Sequence, residues 1–62
     1  MDKPTCELIG EDGNVFNIIG RVSRALKNAG QKDRAEEFVK KAFVSHNYDE
    51  VLRLCVDYVE VE

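Results

Sequence analysis

Asn47-Tyr48-Asp49-Glu50-Val51-Leu52-Arg53-Leu54-Cys55-Val56-Asp57-Tyr58-Val59-Glu60-Val61-Glu62 changes its hydrophobic period part-way along, and that change decides the fold class. Tyr48, Val51, Leu52, Cys55 and Tyr58 recur at three- and four-residue spacings, which puts them on one apolar face of a helix. Asn47 precedes them as a capping residue with Glu50 three positions on. Asp49 and Glu50 place negative charge in the first turn, where the helix dipole favours it. Leu54 and Val56 add apolar surface away from that face. From Tyr58 to Glu62 the pattern alternates and turns to β-forming residues, which predicts a closing strand. A lone strand is not stable in water, so this one needs a partner.

The partner is found at the other end of the chain. Thr5-Cys6-Glu7-Leu8-Ile9, just after Pro4, is short and partly alternating, as a brief strand would be. Paired as a two-stranded sheet, the ends would turn Cys6, Leu8, Val59 and Val61 inward and Glu7, Glu60 and Glu62 toward water; parallel and antiparallel pairing fit equally well. Gly10-Glu11-Asp12-Gly13-Asn14 then breaks the strand with turn-forming residues. Beyond it Val15, Ile18, Ile19, Val22, Ala25, Leu26 and Ala29 form a helical stripe, with Phe16 at its flank expected to join the core. Asp12 or Asn14 is the candidate N-cap, and Gly30 occupies the place of a left-handed C-terminal residue. A second helix is expected after Gln31-Lys32, opened by a capping box of Asp33 and Glu36. Its apolar face comprises Ala35, Phe38, Val39, Ala42 and Phe43, and Glu36–Lys40 and Glu37–Lys41 lie one turn apart on its wet side. Ser45-His46-Asn47 connects it to the third helix. The order is β-α-α-α-β: an α+β fold in which three helices pack on a two-stranded sheet formed by the terminal strands, as one domain over residues 1–62.

A chain of 62 residues holds one core and buries about 60% of its unfolded surface, so its stability margin is thin. Cys6 and Cys55 are the only cysteines and stand near opposite ends, unlike the dense spacing of a disulfide scaffold. Both are expected to be small buried hydrophobes in a reducing compartment; a bridge between them requires the first strand to lie beside the last helix. No apolar run approaches the ~18 residues of a membrane span, and no apolar segment follows the first charges, so the cytoplasm is the expected location and a membrane is not an expected partner. The net charge of −3 is unevenly spread. Residues 1–19 carry one cation against four acids, residues 20–41 seven against three, and residues 42–62 one against five. A basic middle between acidic ends is an asymmetry that bears on partners.

The run Leu8-Ile9-Gly10-Glu11-Asp12-Gly13-Asn14-Val15-Phe16-Asn17-Ile18-Ile19-Gly20, with Ala25-Leu26-Lys27-Asn28-Ala29-Gly30, resembles a family of small proteins without an assigned function from Gram-positive bacteria and their phages and mobile elements. Tyr48-Asp49-Glu50-Val51-Leu52 and Tyr58-Val59-Glu60-Val61-Glu62 are similar to the same family's C-terminus. The resemblance implies a prophage or mobile-element context and no chemistry.

No catalytic constellation stands out. The Gly10–Asn14 loop matches neither the dinucleotide fingerprint nor the Walker loop, and Glu11 and Asp12 put negative charge where a phosphate would sit. Calcium is excluded because the later ligands and closing glutamate of its loop are missing. His46, the only histidine, has Ser45 and Asp49 near it in sequence but nothing that defines a triad, and an exposed linker position is expected. A zinc site of Cys6, Cys55 and His46 lacks paired ligand spacing. Gly20 inside a helix costs about 1 kcal/mol relative to alanine, which points to a close backbone approach by another helix or a subunit. On that footing Gly20→Leu should lower the melting temperature.

Arg21, Arg24 and Lys27 recur every three residues on the first helix and form a basic strip, without the interleaved aromatics of a single-strand binder. The resulting expectation is a non-enzymatic protein-interaction or regulatory protein, without a cofactor, acting on a protein partner or on itself as a homodimer through Leu54, Val56 and a sheet edge. The alternative is an accessory nucleic-acid binder using Arg21, Arg24, Lys27, Lys32 and Arg34.

Overall fold

The computed structural model describes residues 3–7 and 15–61. Five elements follow in the order β1 (Thr5–Cys6), α1 (Val15–Asn28), α2 (Lys32–Phe43), α3 (Tyr48–Tyr58) and β2 (Glu60–Val61). The three helices pack on a two-stranded sheet made by the terminal strands, the α+β architecture expected from the hydrophobic periods. The strands run parallel, with Thr5 opposite Glu60 and Cys6 opposite Val61. Parallel strands need a long crossover, and the three-helix excursion between them supplies it. A bond from the Glu60 amide to the Pro4 carbonyl at 2.9 Å extends the pairing by one step.

α1 ends where Gly30 adopts φ 77°, a conformation that glycine enters without steric cost. The Gln31 amide reaches back to the Leu26 carbonyl at 2.8 Å and the Gly30 amide to Lys27 at 3.0 Å, the paired bonds of a Schellman motif. α2 begins at once. The capping box expected at Asp33 is not formed: Gln31 stands at the N-cap, makes no side-chain cap bond, and its carbonyl accepts from the Ala35 amide. The reason is economy of chain, since the residue that closes α1 also opens α2 and leaves Asp33 inside the first turn, where only its charge acts on the dipole. α3 is capped as expected, the Glu50 amide donating to Asn47 Oδ1 at 2.9 Å. The Glu50 carboxylate returns the bond one residue early, to the His46 amide at 3.1 Å.

The core joins all five elements' surroundings into one cluster. Ile18, Ile19, Val22 and Leu26 come from α1, Ala35, Phe38 and Ala42 from α2, Val51, Cys55 and Tyr58 from α3, and Cys6 and Val59 from the chain ends. Several expectations need correction. α3 runs on through Tyr58, so the closing strand is shorter than the alternation suggested. Val59 is buried as expected, but Val61, last in a two-residue ladder, is exposed. β1 is likewise confined to Thr5–Cys6, with Cys6 inward and Thr5 and Glu7 outward. Leu8, Ile9, the Gly10–Asn14 loop and the candidate caps Asp12 and Asn14 lie outside the described residues. Gly20 is exposed, and beyond its own helical turn no heavy atom lies within 4 Å of where a Cβ would stand. Among the described residues none comes that near, so the close approach inferred from its position is not found within them.

Candidate interaction surface

Arg21, Arg24 and Lys27 are all exposed on α1, and the helix keeps them in one row. Lys32 is exposed at the start of α2. Arg34 is committed elsewhere. α3 has no basic residue in its last turn, and its final carbonyls instead receive cations from two other segments. Lys3 Nζ donates to the Val56 carbonyl at 2.9 Å and Arg34 Nη2 to the Asp57 carbonyl at 3.3 Å. The Arg34 guanidinium also lies 4.8 Å from the centre of the Tyr58 ring. Tyr58 meets Phe38 edge-on at 5.4 Å and donates its hydroxyl to the Glu37 carboxylate, which pairs with Lys41 at 3.7 Å. The Tyr58 bond, and after it the Lys41 charge, hold the Glu37 carboxyl below its ordinary range. Arg34 therefore belongs to a fastening between α2 and α3. Leu54 packs against the core, which leaves Val56, 55% exposed, as the apolar part of that side of α3.

A different surface emerges from residues that the hydrophobic pattern assigned to the interior. Phe16, Phe43 and Tyr48 are 64%, 60% and 40% exposed. The rings of Phe16 and Phe43 lie 6.1 Å apart, tilted by 43°. Phe16 borders three adjoining depressions that share lining residues and together form a concave face. One runs along α1 from Phe16 past Gly20 to Asn28, with Arg21 and Arg24 at its edge. A second lies between α1 and α2, floored by Ile19, Gly20 and Val39 and edged by Arg24 and Lys27. The third continues over Ala42 and Phe43 to Tyr48 and Val51. Among the described residues none that lines these depressions is acidic. The chain matches no family model, no curated protein and no solved structure.

Both thiols are free and buried in the core. Burial, and then the neighbouring Cys6, push the Cys55 thiol up to about 11; burial also raises Cys6, with Arg21 opposing. A buried thiol held protonated at neutral pH is a weak nucleophile, as expected of a packing residue. His46 is exposed. Among the described residues no three His, Cys, Asp or Glu side chains gather as metal ligands, and no helix is long and apolar enough to cross a membrane. The Phe16–Phe43 surface escaped the sequence reading because Phe43 fits the α2 stripe and Phe16, at the flank of the α1 stripe, was expected to join the core. The one available signal was spacing: Phe16 falls a turn before Gly20 and two before Arg24, off the Ile18–Ile19–Val22 line.

Proposed function

We propose that this chain is a non-enzymatic interaction or regulatory protein of the reducing cell interior that docks a protein partner on the concave face around Phe16 and Phe43. One observation carries the proposal: the three aromatic side chains of Phe16, Phe43 and Tyr48 lie outside the core along adjoining depressions, two of the rings in contact, beside exposed arginines. Single exposed hydrophobics need no explanation, whereas a contiguous set marks an interaction site. Aromatic residues and arginine are also the types enriched in interface hot spots. Leu54 is engaged by the core, which weakens pairing of two copies through Leu54 and Val56 and favours the aromatic face as the contact.

A nucleic-acid reading gains something from the same geometry, because Phe16 and Phe43 now stand beside Arg24 and Lys27. Its electrostatic basis is small: three cations in a row, on a chain of net charge −3. A photo-crosslinking amino acid placed at position 43 in cells separates the two. A polypeptide adduct at position 43, absent when the probe is at Arg53 on α3, is the expected result. An adduct with nucleic acid, or equal protein adducts at both positions, would contradict the proposal.

A further inference from the structure

Resting on that docking face, we infer that its occupant is an acidic amphipathic helix with a small residue opposite Gly20. Charge makes the first selection. Arg24 and Lys27 edge the concave face and no described acid lines it, so a partner presenting carboxylates is favoured there and a basic one is repelled. Gly20 makes the second. A mid-helix glycine carries a propensity cost of about 1 kcal/mol relative to alanine, and beyond its own helical turn no heavy atom of the described residues lies within 4 Å of its Cβ position. The missing side chain is open toward solvent, between Phe16 one turn before and Arg24 one turn after, where a second helix could bring its backbone close. Shape makes the third. From Phe16 to Asn28 the face follows α1 for about 18 Å, the length of about three helical turns, and a helix surface offers no unpaired strand edge on which an extended peptide could build.

The inference is tested by titrating isotopically labelled protein with a capped synthetic amphipathic peptide of about 16 residues, long enough to hold helical structure, with leucines on one face, alanine at its centre and glutamates along both flanks. A second peptide has lysine for each glutamate, and an oligothymidylate serves as a third probe. The acidic peptide should shift the amide signals of Phe16, Gly20, Arg24 and Phe43 with micromolar affinity, and the lysine version should bind at least about tenfold more weakly. Gly20→Leu should melt no lower than the parent, leucine being the better helix former, yet lose at least about tenfold in affinity. Arg24→Glu should reverse the order of the two peptides. Equal binding of both peptides, unchanged affinity of the folded Gly20→Leu variant, stronger binding of the oligothymidylate, signal changes tracking protein concentration alone, or no binding at millimolar acidic peptide would each overturn the inference. A polypeptide adduct at position 43 without acidic-peptide binding would leave the docking face standing and remove only its acidic occupant.

Discussion

Replacing Gly20 by alanine supplies a side chain where the structure has open space and lowers the entropy lost when the helix forms. The substitution should stabilise the domain by about 1 kcal/mol, which raises the melting temperature by about 4–8 °C in a chain of this size. Calorimetry decides it, and a lower melt would mean that some group does approach Gly20. Cys55 offers a second, pH-linked test. Its thiol titrates near 9.0 when unfolded and at about 11 when folded. A raised folded pKa means the contribution is complete below 9.0 and is lost as the pH rises through 11, because the unfolded chain releases its proton first. Burial shifts Cys6 and Tyr58 in the same direction. Urea unfolding should therefore show stability falling by about 2–3 kcal/mol between pH 9 and 11, and a flat profile would contradict the burial of the thiol. Phe16 shows the limit of residue-level reading. Its neighbours Val15 and Ile18 belong to the core stripe, but the 100° between successive helical positions turns it onto the Gly20–Arg24 side, and hydrophobicity alone did not reveal that turn.

The helices were legible because each carries an apolar period, and the end of α1 and the start of α3 carry a capping residue. The Schellman closure at Gly30 and the Asn47 cap were both readable as single residues of the right type in the right place. Asn47→Ala should cost about 1 kcal/mol, measured as a fall in the urea midpoint at constant slope. Asp33 misled because sequence does not show how few residues separate two helices; with no spacer, Gln31 serves both. The C-terminal end of α3 was not legible at all, since its cations come from Lys3 and Arg34, 53 and 23 residues away from the carbonyls they meet. Arg34→Ala removes both the bond to Asp57 and the contact with Tyr58, and should cost about 1–2 kcal/mol in the same unfolding assay. No loss would show that the guanidinium is solvated and free to join the basic row.

The chain as a whole is small enough that coverage, more than pattern, decides what is buried. Alternation in the terminal segments announced a sheet, but an alternating pattern has no direction, and only the assembled topology fixes the parallel register. A two-residue ladder and three short helices cannot cover every apolar stripe to its full width. Phe38 is covered completely, whereas Phe43, one and a half turns further along the same helix, is left on the rim. Total stability for a domain of this length is about 3–9 kcal/mol, so a core phenylalanine truncation, at about 3–5 kcal/mol, removes much of it. An exposed one does not. The most direct test is the urea unfolding free energy of the Phe16→Ala, Phe43→Ala double variant. If these rings serve a partner more than the core, the loss is no more than about 2 kcal/mol, covering their mutual contact and residual burial. A loss of 3 kcal/mol or more from either single substitution would place that ring in the folding core and remove the docking face.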